Sequence, residues 1–146
     1  AMMTTRDDDV LRARPMQGYQ DAFDGTLWFF SRLSSHKRLE IQQAQQVCLA
    51  YADPDHQRYV SVSGTASVET DKAKAKALWN EHAAAWFPEG LDDPDLVLIR
   101  VETEQAEYWE SSSSRVVQLY RVARARLAGE RPYGGENEKL DLTGTG

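Results

Sequence analysis

Six basic side chains fall within two short stretches of this 146-residue sequence: Arg12 and Arg14, then Arg32, His36, Lys37 and Arg38. The chemistry they share is recognition of an anion, since a guanidinium offers a planar fork of donors and an ammonium a compact charge. In a strand, the spacing of Arg12 and Arg14 puts both on one face with Val10 and Met16. Ser35, ahead of Leu39 and Ile41, reads as the N-cap of a short helix over about residues 35–43, whose first turn then holds His36, Lys37 and Arg38. Cations there oppose the helix dipole, at about 0.3–1 kcal/mol each, whereas an anion on the free N–H groups is stabilised by dipole and cations together. Ser31, Ser34 and Ser35 add hydroxyl donors. Taken singly, each basic residue is more simply a solvated charge whose alkyl stem covers apolar neighbours; Arg14 and Lys37 jointly favour a phosphate.

The elements that must position these residues are short. Met2 to Arg6 and Val10 to Met16 read as a hairpin across Asp7-Asp8-Asp9, and Thr26 to Ser31 as an aromatic third strand after Asp24-Gly25. Gln46 to Ala52 and His56 to Val68 follow as a pair across Asp53-Pro54-Asp55. Val60, Val62, Ala66 and Val68 alternate with polar residues, the pattern of a sheet with one buried face, and Gly64 among them predicts a bulge or a close backbone approach. Thr70-Asp71 caps an alanine-rich helix to about Phe87, broken near Asn80. Leu96 to Glu102 and Ala106 to Glu110 read as a final hairpin, and residues 113–127 as a helix. Connections this short predict an antiparallel α+β fold, mainly β: a six- to seven-stranded barrel with inserted and C-terminal helices, over residues 1–128, and a polar, disordered tail over 129–146.

Composition narrows the function classes. A net charge of −6 argues against a nucleic-acid-binding surface, which needs a broad basic field. No apolar run approaches the roughly 20 residues that span a bilayer, and the lone Cys48 has no partner for an internal disulfide. A cytoplasmic protein is expected.

Met3-Thr4-Thr5, Leu11-Arg12-Ala13-Arg14-Pro15-Met16, Leu27-Trp28-Phe29-Phe30-Ser31 and Ser35-His36-Lys37 stand in an order and spacing that resembles the general stress protein branch of the pyridoxamine 5′-phosphate oxidase-like flavoproteins. Val62-Ser63-Gly64, Trp86-Phe87-Pro88 and Tyr108-Trp109-Glu110 extend the likeness to about Ser114. The resemblance implies a split barrel that forms a homodimer, with flavin mononucleotide (FMN) in a groove between subunits; flavin adenine dinucleotide stays open as the cofactor form. Carried over by position, Arg14 and Lys37 would hold the phosphate, with Arg12 on the same face and Ser31, Ser35 or His36 assisting. Pro15 and Met16 would approach the isoalloxazine ring, Phe30 would line the site, and Trp109 would reach it from the other subunit. Redox chemistry would be the flavin's own, in a reductase or oxidase of unknown substrate or in a flavin carrier or sensor without turnover, with the catalytic residues left unassigned. The Arg and His arrangement that vitamin-B6 oxidases carry near their C-terminus has no counterpart here, which argues against that activity. Relatives also place a helix ahead of the first strand, where this sequence opens on the strand itself.

Other constellations carry less. His56 and His82 lack metal-ligand spacing and read as surface residues, so no metal is expected. Two further readings compete with a flavoprotein: a cofactor-free barrel stacking single-stranded nucleic acid on Trp28, Phe29 and Phe30, and a barrel whose basic turn meets an acidic protein partner.

Overall fold

The computed structural model describes residues 1–20, 23–110 and 136–142. Strand β1 (Met2–Asp7) turns through Asp8, at φ 51°, into β2 (Val10–Pro15). After β3 (Thr26–Arg32) comes the helix α1 (His36–Gln43), then the long hairpin β4 (Gln46–Asp53) and β5 (Arg58–Glu69). Two short helices, α2 (Lys72–Leu78) and α3 (Glu81–Trp86), lead to β6 (Leu96–Glu110), and β7 (Glu136–Asp141) ends the described chain. The break between α2 and α3 falls at Asn80, whose side chain caps α3 by accepting from the Ala83 amide at 3.0 Å.

All pairings are antiparallel, in the order β2-β1-β4-β5-β6-β3, with β7 also on β6. This is the split barrel of the α+β class. Its two outer strands are brought together by the segment after β2: Gly18 bridges to Phe29, and the Gln20 amide accepts from the Trp28 N–H at 2.9 Å and donates to the Thr26 carbonyl at 2.7 Å. A side chain thus continues the ladder where the backbone leaves it.

Phe29 and Phe30 point to opposite faces of β3. Phe29 enters the barrel core with Met3, Ile41, Leu49, Val62, Ile99 and Val101; each such side chain, fully buried, contributes about 1.5–3 kcal/mol. Phe30 lies outside the barrel, with Leu98, under Ala75 of α2 and Ala83 of α3. Helices therefore cover the β3 side of the sheet. On the rest of the outer face, Met2, Leu11, Tyr59 and Trp109 stay exposed, and the ladder pairs Tyr59 with Trp109.

Two expectations are corrected. Residues 96–110 form one strand of 15 residues, not a hairpin. The polar Thr103-Glu104-Gln105 stretch looks like a turn locally, but Thr103 is buried and bonds the Gly25 carbonyl through both its amide (3.1 Å) and its hydroxyl (2.8 Å). The register shift falls opposite Ser63/Gly64, where Gly64 pairs Thr103 and Ser63 pairs Gln105, leaving Glu104 as the bulged residue. The tail is the second correction, since residues 136–141 pair with β6 from Gln105 to Glu110. β3 stops at Glu102, so that stretch of edge is open to a strand whose composition alone gives no sign of it. The expected helix at 113–127 and the boundary at 128/129 lie outside the described residues.

A Cβ on Gly64 would sit 2.2 Å from the Glu102 carbonyl oxygen, a backbone atom with nowhere to go. Gly64→Ala is expected to cost about 3 kcal/mol, read as a lowered urea midpoint with the slope of unfolding unchanged.

Candidate functional site

The turn before α1 is clamped to the start of β6. Asp95 accepts from the Ser34 amide and hydroxyl, each at 2.7 Å, and its own carbonyl accepts from the Leu33 amide, also at 2.7 Å. These bonds hold the Asp95 carboxyl below the usual carboxylate range. So anchored, α1 packs on β1 and β5 with Glu40 and Ile41 turned inward.

Ser35 occupies the N-cap of α1 with extended dihedrals, as the sequence predicts, but makes no capping hydrogen bond, and the first turn has no acidic residue. Its hydroxyl lies 3.5 Å from that of Ser31, which is buried at the end of β3. The first amides of α1 are therefore left without a side-chain acceptor at the positive end of the helix dipole.

Arg14, on β2, bridges β1 and α1. Its guanidinium donates through one terminal nitrogen to the Thr5 hydroxyl and through the other to Glu40 Oε2, at 2.6 Å. Thr5 in turn donates to the same Oε2. Glu40 and Thr5 are each only 1% exposed. Burying a carboxylate so deeply is costly unless a cation and further donors meet it, and the triangle supplies both. Lys37 lies one helical turn before Glu40. Burial lowers its pKa below the ordinary 10.5, the Arg14 charge lowers it further, and Glu40 partly offsets this. The two cations that the sequence singles out thus sit within electrostatic reach of each other.

The other candidates divide. Arg12 bonds Asp7 at 2.6 Å, on the same face as Arg14. Exposed His36 sits beside them: His36, Asp7 and Glu40 bring one ligand-type atom each to within 4.8 Å of one another. Sequence spacing gives no hint of that trio, which spans a strand end and a helix turn. Because Arg12 and Arg14 are already bonded to its two carboxylates, and Lys37 is near, its field suits an anion better than a metal cation. Met16 is packed in the barrel core, and Pro15, exposed, ends β2. Phe30 does not join the cluster; it is buried against Tyr19, Trp79 and Phe87. Trp109 also stands apart, in a row with Tyr59 and Ala52 at the other end of the strands from Thr5 and Asp7.

Two of the basic residues have other work. Arg32 reaches Asp93 and the Trp86 carbonyl and lies over the Phe87 ring at 5.1 Å, while Arg38 donates to the Leu33 carbonyl and to Gln42. The nucleic-acid reading loses two of its three rings, since Phe29 and Phe30 are buried, while Trp28 is half-buried with Lys74 and Arg100 over it. Sequence reasoning missed Glu40 and Thr5. For Thr5 the signal was its place in the Met3-Thr4-Thr5 motif, and for Glu40 its standing three residues after Lys37, on the same side of a short helix.

With this geometry in place, comparison with known proteins gives the family. The profile described as pyridoxamine 5′-phosphate oxidase like matches residues 1–133. The chain belongs to that family. It is similar to general stress protein 26 of Bacillus subtilis, 26% identical over 119 residues that cover 75% of this chain and 81% of that protein. It is also similar to the structure of the general stress FMN/FAD binding protein of Xanthomonas citri, at 31% identity and TM-score 0.70, over 77% of this chain and 80% of that one. A protein from Clostridium acetobutylicum related to general stress protein 26 shares the fold at TM-score 0.72 and 16% identity, over 97% of this chain and 84% of that one. Among the described residues, no helix is long and apolar enough to cross a membrane.

If the triangle holds Glu40 charged, removing the cation leaves a buried carboxylate uncompensated. Arg14→Ala is expected to cost about 3 kcal/mol by urea unfolding at neutral pH, and Arg14→Ala combined with Glu40→Gln to recover most of that loss.

Proposed function

We propose that the chain is a flavin-binding general stress protein that holds the phosphate of FMN between Arg14, Lys37 and the N-terminal turn of α1. The observation that carries this reading is the approach of two partly buried cations, Arg14 and Lys37, beside a helix whose first turn has no capping side chain and no acidic residue, with Glu40 bonded directly to only one of them. Such a place is poorly stabilised without an anion and well stabilised with one. The family and the Xanthomonas citri relative, whose description names FMN and FAD, support a flavin as the group that carries the anion. FMN ends in a phosphate monoester, which suits a compact cluster of two cations and a helix turn.

Bound flavin supplies hydride and electron chemistry through its ring. The chain's own part is to bind and orient: Ser31 and Ser35 offer hydroxyls beside the turn, and His36 stands in it. The chain works in the cytoplasm as a homodimer, in which the exposed outer face bearing Met2, Leu11, Tyr59 and Trp109 is covered by a second copy. Trp109, too far along the strands to meet its own Lys37, reaches the flavin across that interface. No side chain is assigned to catalysis, and oxidation of pyridoxamine phosphate is not part of the proposal.

FMN titration, followed by flavin fluorescence, tests the reading. Lys37→Ala is expected to weaken FMN by roughly tenfold or more while leaving riboflavin, which lacks the phosphate, unaffected; equal losses for both would sink the phosphate assignment. The pH dependence follows from the lysine. FMN affinity is expected to rise as the phosphate ionises near about 6 and to fall once the pH passes the lowered Lys37 pKa, earlier than an ordinary lysine would allow. Lys37→Arg removes that alkaline fall. Without flavin, the unfolded chain holds the Lys37 proton more tightly than the folded one, so stability rises with pH from the lowered pKa towards 10.5. Light scattering of Tyr59→Ser/Trp109→Ser is expected to give monomers where the unaltered chain gives dimers.

A further inference from the structure

We propose that Thr5 and Glu40 are positioning residues that hold the Arg14 guanidinium ready for a phosphate ester, an inference that rests on the flavin reading above. Arginine is long, and an unrestrained guanidinium at the barrel rim would sample many rotamers, so ordering it would weaken whatever it bound. Here two contacts fix it before any ligand arrives. One terminal nitrogen is held by Thr5 and the other by Glu40 at 2.6 Å, and the Thr5 hydroxyl closes the ring by donating to the same carboxylate oxygen. Both uses of that hydroxyl, as acceptor from Arg14 and donor to Glu40, are taken. Thr5 sits on β1 and Glu40 on α1, two elements held by the core, so the ring references Arg14 to rigid structure rather than to a loop.

The charge of Glu40 is the telling detail. A carboxylate beside an anion site repels the anion, so charge alone would favour a neutral residue at this position. Its fully buried place, bonded to Arg14, fits a role in geometry. Of the five guanidinium N–H donors, the ring engages two, which leaves the others for a ligand.

The test uses two variants that leave the charge of the cluster unchanged. Thr5→Val removes the hydroxyl at constant shape, and Glu40→Asp keeps the carboxylate but withdraws it by one methylene. Each is expected to weaken FMN about fivefold to tenfold with riboflavin affinity unchanged, whereas Thr5→Ser restores FMN binding. In an Arg14→Lys background, which keeps the charge but not the fork, Thr5→Val is expected to have no further effect on FMN, because the residue acts only through the guanidinium. A purely structural role would lower FMN and riboflavin together, and its effect would persist in the Arg14→Lys background; either result overturns the proposal. FMN binding that both variants leave intact overturns the positioning role alone. Failure of the unaltered protein to bind FMN overturns the flavin reading and this inference with it.

Discussion

A single carboxylate, that of Glu40, sets the terms for the junction of α1 with the first hairpin. Removed from water, it would be costly to keep ionised alone, so β1 must bring a hydroxyl and β2 a guanidinium to the same oxygen. The contact ties α1 to the first hairpin and fixes the angle at which the helix start meets Arg14. How the helix sits on the barrel therefore depends on a carboxylate almost wholly shielded from solvent.

The rest of the fold serves that junction through the length of β6. Its first half pairs with β3 and its second half with β7 along the same edge, while β5 runs along nearly the whole of the other. One bulge at Glu104 and the close approach at Gly64 let the strand bend between its two neighbours. Helices α2 and α3 seal the outer side of the first half over Phe30 and Leu98, which leaves the other outer rows bare. Asp95, just before β6 and itself held by the Asp93 carboxylate, then holds Leu33 and Ser34 in the turn from which α1 starts.

An acidic chain can still build a local positive field, because what counts is which charges are left over after internal pairing. Arg32 and Arg38 are bonded to carboxylates, carbonyls or a glutamine near the turn, and Arg12 to Asp7. Arg14 keeps donors in excess of its two partners, and Lys37 is near it without a direct ion pair among the described residues. That difference separates the charges committed to shaping the turn from those with donors to spare.

Local pattern sufficed for most of the elements. The first hairpin, the aromatic strand, the helix start at Ser35, the cap at Asp71, the break near Asn80 and the alternation of β5 are all written in neighbouring residues, because turn chemistry, capping and period-two burial act over a few positions. The motif around Arg14 and Lys37 was legible for the same reason. Whether a polar stretch turns or continues as strand was not, since Thr103 stays in β6 only by bonding Gly25, far away in sequence; nor was β7, which exists by virtue of an open edge. The same holds for Phe30, whose strand parity turns it from the barrel to the helices, and for Glu40 and Thr5, each unremarkable in its own segment. Residue types and spacing determined which groups could attract an anion; three-dimensional packing decided which of them remain unpaired enough to do so, because only folding brings a buried carboxylate and its partners from three elements to one point.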